Sequence, residues 1–209
     1  MELTICIIIA YLLGSIPTSI WIGKFFYNID VRQAGSGSTG ATNTFRILGS
    51  KAAVPVLFID ILKGFLAVKL PLILFPVSFS EITEIQMLCG GIAAFGHIFP
   101  VFANFKGGKG VATLTGVILA ISPMVLLFSF PVFILTLIIT HYVSLGSILA
   151  TVSIPFVYFF ILKNTGQSFL FFSLALIAII IYTHRQNILR LISGRENAFS
   201  LNKKTNERK

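Results

Sequence analysis

Long apolar runs alternate with short polar loops along this chain of 209 residues. The first run extends from Leu3 to Gly23 and stops at Lys24. Similar runs cover residues 52–77, 85–103 and 168–183. Each run has the length of a helix rather than a strand, and a bilayer core of about 30 Å takes about 20 apolar residues to cross. The pattern therefore predicts transmembrane helices.

The longest apolar stretch, Val111 to Leu162, is too long for one helix and long enough for three of about 17 residues each. Pro123 and the cluster Thr140-His141-Tyr142 fall where two breaks would be needed. Three short crossings would return Ser144 to the side that carries the glycine-rich loops. The chain is thus expected to be all-α, with about seven transmembrane helices, an outside N-terminus and a cytoplasmic C-terminus.

Composition supports a polytopic integral membrane protein, because 56% of the residues are hydrophobic and only 11% are charged. We expect residues 1–209 to form one membrane-embedded domain with a flexible tail from about residue 197. The first run lacks a small-residue cleavage site and leads into a charged loop, so it is interpreted as a retained helix. Cys6 and Cys89 lie in separate apolar segments and are expected to be packed or lipid-facing thiols rather than a disulfide.

The basic residues fall in three regions of the chain, which the positive-inside rule places in the cytoplasm. These are Lys24, Arg32, Arg46 and Lys51; Lys106 and Lys109; and Arg185, Arg190, Arg195, Lys203, Lys204, Arg208 and Lys209. The opposite side would carry Glu2, Glu81, Glu84 and Lys163. The net charge of +9 then reflects topology. Nucleic acid is not an expected partner, because these residues occupy short loops rather than one basic domain.

The segment GSGSTGATNTFR, Gly35 to Arg46, begins with G-x-G-x-x-G. No strand precedes it and no βαβ unit surrounds it, so it does not predict a dinucleotide site. The KGGKG segment does not match the nucleotide P-loop pattern G-x-x-x-x-G-K-[ST] either. Gly110 follows Lys109 where the pattern has Ser or Thr, and Ala103 occupies the position of its first glycine. No cofactor and no metal site are expected.

Three polar segments should share the cytoplasmic face: GSGSTGATNTFR, GHIFPVFANFKGGKGVAT and HRQNILRLISGRE. Glycine-rich backbone beside a helix N-terminus can bind an anion. Arg46 can contact two phosphate oxygens in one plane, and a lysine can add a point charge. The combination predicts a phosphate site.

The same three segments, with Asp60-Ile-Leu-Lys63-Gly64, resemble the motifs of the bacterial acyl-phosphate:glycerol-3-phosphate acyltransferases. The resemblance covers nearly the whole chain, with four matches in the right order. At Ser38 the family commonly has Asn. The resemblance implies a seven-helix enzyme of the bacterial plasma membrane, with its active site facing the cytoplasm and no obligate protein partner.

The implied reaction transfers a fatty acyl group from acyl phosphate to the sn-1 hydroxyl of glycerol 3-phosphate and releases lysophosphatidic acid, a membrane lipid, and inorganic phosphate. Acyl phosphate already carries a good leaving group, so the protein needs to position two substrates and stabilise developing charge. In the family, the donor's own phosphoryl oxygens help to activate the attacking hydroxyl.

The resemblance assigns catalytic roles to Ser36, Arg46, Lys106, His184 and Asn187. Arg46, Lys106 and Ser144 would hold phosphate groups, and His184 and Asn187 would orient the glycerol. Substrate or phosphate binding is expected of Gly37, Ser38, Gly40, Thr42, Asn43, Lys63, His97, Gly107, Gly108, Lys109, Ser144 and Glu196.

Several of these residues also have a purely structural interpretation. Lys106 and Lys109 could be cytoplasmic flanking charges. His97 could hydrogen-bond backbone at a helix end. Lys63 could pair with Asp60 three residues earlier or bind substrate directly, since charges inside a membrane helix are costly unless they are paired.

Two other function classes remain open from the sequence. A small transporter or flippase for a phosphorylated solute could use anion-binding broken helices, but the polar segments concentrate at one face and no internal repeat is evident. A structural subunit with anionic-lipid sites is also consistent with the basic loops, but it leaves Ser36, Asn43 and Asn187 without a role.

Overall fold

The computed structural model describes residues 2–74 and 82–199, and no strand occurs in that part of the chain. The helices are α1 (Glu2–Gly14), α2 (Thr18–Tyr27), α3 (Ala41–Leu48), α4 (Ser50–Leu74), α5 (Ile82–Ile98), α6 (Val111–Ile121), α7 (Pro123–Thr140), α8 (Val143–Phe156), α9 (Gln167–Thr183) and α10 (Arg185–Ile192). Residues 75–77 of the predicted second span, Glu81, and the basic residues Lys203, Lys204, Arg208 and Lys209 lie outside the described residues. The prediction of an all-α membrane protein is confirmed.

Three helical stretches are long and apolar enough to cross a bilayer: Ile82–Ala103, Pro123–Thr140 and Val143–Ile161. Two bent pairs raise the number to five, α1 with α2 at 41° and α9 with α10 at 63°. α4 has 25 residues but includes charged side chains, and α6 has only 11. At 1.5 Å per residue, α6 is about 16 Å long, roughly half of the bilayer core.

The two breaks predicted between Val111 and Leu162 are both present. α6 ends before Ser122, and α7 begins at Pro123, where a proline without an N–H donor fits the first turn of a helix. α7 ends at His141, whose φ of 60° is left-handed and stops the helix. Both breaks therefore follow from local sequence.

Close helix packing depends on glycines at two interfaces. A Cβ at Gly14 of α1 would overlap the Ala93 carbonyl of α5, and one at Gly96 would contact the Tyr11 carbonyl. In the same way, Gly64 of α4 faces α6, and a Cβ at Gly116 would overlap the Ile61 carbonyl. Such residues let two backbones approach closely where the surroundings are lipid. α6 is thereby held firmly against α4 despite its short length.

A buried polar cluster holds the break between α1 and α2. Lys63 Nζ lies 2.8 Å from Asp60 Oδ1 and donates to the Ile16 carbonyl at 2.9 Å. Thr18 Oγ1 donates to the same Asp60 oxygen at 3.0 Å, and His97 Nδ1 lies 3.7 Å from it. The contacts of Lys63 thus match the ion-pair interpretation, and the pair also satisfies backbone at a helix end.

Two further details belong to this packed region. Cys6 and Cys89 are fully buried free thiols in one cluster between α1 and α5, so they are packed and do not face lipid. Lys69 Nζ of α4 donates at 3.2 Å to the Ala120 carbonyl, near the C-terminal end of α6. This bond satisfies one of the carbonyls that a short helix leaves open.

We predict that Gly116→Ala destabilises the protein, because the new methyl group would overlap the Ile61 carbonyl. Overpacking of this kind costs about 1–3 kcal/mol and should lower the unfolding midpoint by roughly 2–10 °C. Gly91→Ala is the matched control, because its methyl would meet only the edge of Phe172 at 3.9 Å. Thermal unfolding in detergent checks this, and equal midpoints for the two variants would contradict it.

Candidate active site

The first glycine-rich loop is organised by the side chain of Asn43, which is 2% exposed. Its Oδ1 accepts the Ser36 N–H at 2.8 Å, and its Nδ2 donates to the carbonyls of Val31 at 3.0 Å and Ser38 at 2.9 Å. Both amide hydrogens are therefore used within the loop. This amide therefore positions the loop, and substrate binding by Asn43 stays a prediction.

The second loop, KGGKG, is joined to the end of α5 through backbone. Gly107 N–H donates to the Ile98 carbonyl and Gly108 N–H to the His97 carbonyl, both at 3.1 Å. A Cβ at Gly107 would overlap the His97 carbonyl, and one at Gly108 would overlap the His97 ring. These glycines are required for close approach. Their N–H groups donate to protein carbonyls, and phosphate binding by this loop stays a prediction.

The third segment gathers side chains from three parts of the chain around Glu196. Asn187 Nδ2 and Ser144 Oγ donate to Glu196 Oε1 at 2.6 and 2.8 Å, and Arg190 Nε donates to Oε2 at 2.9 Å. Lys109 Nζ donates to Asn187 Oδ1. The network joins the KGGKG loop to α8 and α10, and it orients both the lysine and the amide.

Two charged groups of this network have shifted pKa values. Burial lowers the pKa of Lys109 to about 8, against the opposing effect of the nearby Glu196 charge, and the charges of Arg190 and Arg46 lower it further. Burial works against the charge of Glu196, but hydrogen bonds from Arg190, Asn187 and Ser144 hold its pKa below the usual value. Near neutral pH the site thus contains a charged lysine that loses its proton readily.

His184 lies at the break between α9 and α10 and is 2% exposed. Burial, together with the charge of Lys109, lowers the pKa of His184 to about 4, so the ring is neutral at neutral pH. Its Nδ1 lies 2.9 Å from the Ile180 carbonyl oxygen, which can only accept, so Nδ1 carries the proton. Nε2 is therefore a hydrogen-bond acceptor and suits a substrate hydroxyl.

A strap formed by residues 194–199 covers this region, although the sequence predicts flexibility from about residue 197. Arg46 of α3 donates to the Asn197 carbonyl at 3.1 Å. Phe199 N–H donates to the His141 carbonyl at 2.7 Å, and the Phe199 ring lies 5.2 Å from that of Phe45. Residues 197–199 thus make three contacts with distant parts of the chain, and flexibility of the tail stays a prediction. No local sequence signal reveals them, because the partners are distant in the chain.

One cavity of about 580 Å³ connects these groups with an apolar interior. Its polar end brings together many of the predicted site residues: Ser36, Ser38, Gly40, Thr42, Asn43, Arg46, His97, Lys109, Ser144, His184, Asn187 and Glu196. Its apolar arm runs between α4, α6, α7 and α8, with Leu176 of α9 contributing. The arrangement suits a molecule with an anionic head and a single long hydrocarbon chain.

The structure does not bring all the predicted residues to this cavity. Lys106 lines a separate cavity of about 460 Å³ with Gly37 and Gly107. Lys63 and Gly108 line neither of these two cavities. Lys109 is therefore the lysine of the larger cavity, and the substrate-binding or catalytic roles of the residues outside it stay predictions. Sequence reasoning also did not identify Phe45, Phe130 and Phe133, which line the apolar arm.

Comparison with known proteins agrees with this site. Residues 4–194 match the family model described as glycerol-3-phosphate acyltransferase. A relative from Bacillus anthracis, glycerol-3-phosphate acyltransferase 2, is 50% identical over 191 residues, covering 91% of this chain and 96% of the relative. The glycerol-3-phosphate acyltransferase of Enterococcus faecalis is 44% identical, covering 96% of this chain and 93% of the relative.

Two crystal structures of PlsY (YgiH), an integral membrane glycerol 3-phosphate acyltransferase, also resemble this chain. The glycerol 3-phosphate form is 42% identical with a TM-score of 0.85, and the alignment covers 96% of each chain. The lysophosphatidic acid form is 41% identical with a TM-score of 0.83, covering 96% of this chain and 97% of the other. On sequence, fold and site together, the chain belongs to the glycerol-3-phosphate acyltransferase family.

Proposed function

We propose that this protein transfers a fatty acyl group from acyl phosphate to the sn-1 hydroxyl of glycerol 3-phosphate. The products are lysophosphatidic acid and inorganic phosphate, the first step of phospholipid synthesis. The observation that carries the proposal is the single cavity that joins a cationic, hydrogen-bonding end to an apolar arm. That shape matches the acyl donor and the acylated product, each of which has a phosphate head and one hydrocarbon chain.

Arg46 and Lys109 are the phosphate-binding cations in this proposal. Two phosphorylated substrates repel each other, and the repulsion is strong in a partly dry cavity unless fixed positive charge lies beside both. Arg46 offers a planar pair of N–H donors, whereas Lys109 offers a compact point charge. Ser36 and Ser144 line the same polar end and add hydroxyl groups. Together they stabilise the charge that develops on the leaving phosphate.

His184 and Asn187 position the acceptor. Neutral His184 accepts a hydrogen bond at Nε2 from a glycerol hydroxyl, and Asn187 is held in place by Lys109 and Glu196. The sn-1 oxygen attacks the acyl carbon, the bond between that carbon and the phosphate oxygen breaks, and the hydroxyl proton leaves with the phosphate. No covalent acyl-enzyme is required, since the donor is already activated.

We propose seven membrane crossings in one membrane-embedded domain, residues 1–209, with the N-terminus outside and the active site facing the cytoplasm. We count the joined pair α1 and α2, followed by α4, α5, α6, α7, α8 and α9, as seven successive passes, which is two more than the five that helix length and composition support in the described residues. The basic loops that hold Arg46, Lys109 and Arg190 meet at one end of this bundle. The positive-inside rule predicts that this end is cytoplasmic. We propose the bacterial plasma membrane as the location, because the relatives come from bacteria.

Thiol labelling of intact cells tests the orientation. Single cysteines at exposed Lys51, Arg195 and Lys106 should resist an impermeant thiol reagent, because those positions face the cytoplasm, and they should react after the cells are opened. A cysteine at exposed Lys163, at the opposite end, should react in both conditions. Ready labelling of the cysteines at positions 51, 195 and 106 in intact cells would contradict the proposed orientation.

A direct assay tests the reaction. Purified protein supplied with acyl phosphate and glycerol 3-phosphate should release inorganic phosphate and lysophosphatidic acid in equal amounts. Palmitoyl-CoA as sole donor should give no turnover, because no described element suggests a site for a nucleotide-bearing donor. A transporter or a structural subunit would release neither product, so phosphate release without acylated product, or no release at all, would overturn the proposal.

A comparison of the two loop lysines tests the site. Lys109→Gln should lower kcat/KM on the order of 10²-fold, the scale for loss of one preorganised charge-stabilising donor. Lys106→Gln is the matched control and should cost much less, because Lys106 lines the other cavity. Activity that depends on Lys109 should also fall as pH rises through about 8, where this lysine loses its charge. A larger loss of kcat/KM for Lys106→Gln than for Lys109→Gln would show that the reaction takes place at the smaller cavity.

A further inference from the structure

The apolar arm of the larger cavity is lined on one side by residues that also face the surrounding lipid. On α4, Val54 and Leu57 line the cavity, yet they are 63% and 43% exposed. On α7, Phe130 lines it and is 50% exposed. A side chain that borders both an internal cavity and the outer surface marks the edge of an opening between them.

The opening lies between two apolar stripes of matching spacing. Val54, Leu57 and Ile61 follow one another at i, i+3 and i+7 on α4, and Phe130, Phe133 and Leu137 do the same on α7. This spacing keeps each stripe on one face of its helix. We call the opening bordered by these six residues the lateral slot.

The helix packing explains why this side is open. α4 packs tightly on α6 through the Gly64 and Gly116 contacts, and α7 follows α6 directly after the break at Ser122. α6 therefore lies between α4 and α7 and lines the inner side of the apolar arm. The α7 stripe spans seven residues, about 10 Å of helix, which is a large part of the length of an extended acyl chain.

The cytoplasmic end of the arm is covered, in contrast, by the strap. Phe199 packs on Phe45 and bonds to the His141 carbonyl, while Glu196 is held by three hydrogen bonds. A hydrocarbon chain leaving through this end would have to displace the strap and enter water. Exposing each CH₂ of the chain to water is unfavourable, so the route through water is strongly disfavoured.

We propose that lysophosphatidic acid leaves the protein sideways, its acyl chain sliding through the lateral slot into the bilayer while its phosphate head stays at the cytoplasmic surface. Leu57 and Phe130 are the residues whose size sets the width of the slot. This inference rests on the proposed function, because the lipid is the product of that reaction. The proposed reaction does not specify how the product leaves. The inference adds an exit route and names the two residues that determine its width.

Photolabelling of the full-length protein in nanodiscs tests the route. The probe is a lysophosphatidic acid with a diazirine in the middle of its chain, and mass spectrometry locates the labelled residues. Label on Leu57 and Phe130 should be lost when unlabelled lysophosphatidic acid competes. Label on Phe58 and Phe128, which are 64% and 42% exposed but do not line the cavity, should not be lost. Competable label found only on residues 194–199 would overturn the proposal.

Dissociation of the same lipid into the nanodisc provides the second measurement. Leu57→Trp narrows the slot and should slow dissociation at least about threefold, and kcat should fall with it if product release limits turnover. Leu62→Trp makes the same change at a residue of α4 that is 38% exposed and does not line the cavity, and it should leave the rate unchanged. Equal rates for the two variants would overturn the role of Leu57.

The reaction assay in the same nanodiscs separates the two proposals. A protein that releases phosphate and lysophosphatidic acid in equal amounts but shows no competable label in the slot supports the proposed function and overturns the route. If the label is competable but no turnover occurs, the protein binds the lipid in the slot and the proposed reaction is wrong.

Discussion

Inside a bilayer no water is available, so every broken helix must find partners for its open backbone groups within the protein. The Asp60–Lys63 pair is the clearest case here. Lys63 donates to the Ile16 carbonyl at the break between α1 and α2, and Asp60 accepts from Thr18 at the start of α2. Removing either charge would leave the other buried alone, which is strongly destabilising.

The same requirement recurs at the other breaks. Lys69 bonds to a carbonyl at the end of α6, and the Phe199 N–H bonds to the His141 carbonyl after α7. His184 bonds to the Ile180 carbonyl at the end of α9. Because several of these ends meet around one cavity, the contacts that make broken helices tolerable also position the polar groups of the active site.

Charge in the active site is balanced by Glu196. This carboxylate interacts with Lys109, Arg190 and Arg46, and it is itself held by Asn187 and Ser144. Cations gathered to bind phosphate would repel one another without a counter-charge. In the proposed reaction, this counter-charge keeps Lys109 and Arg46 near each other, where both can contact phosphate.

The sequence by itself determined the class of the protein. Apolar runs, basic loops and breaks at Pro123 and His141 depend on local chemistry, and the structure contains the helices and both breaks. The motifs also identified the residue types of a phosphate site. Only the tertiary structure decided which of them share a cavity, because Lys106 and Lys109 are three residues apart in the same loop yet line different cavities.

Asn43 shows the same limit of sequence-based prediction. An amide side chain can bind a ligand or the backbone of a loop, and only the folded structure places the Val31 and Ser38 carbonyls beside this amide. The strap and the lateral slot depend on contacts between residues far apart in the chain, such as Phe45 with Phe199. Local sequence specifies helices and their ends because hydrogen bonding and side-chain spacing act over a few residues. It does not specify which helix faces meet or stay apart, because that depends on how the whole bundle packs.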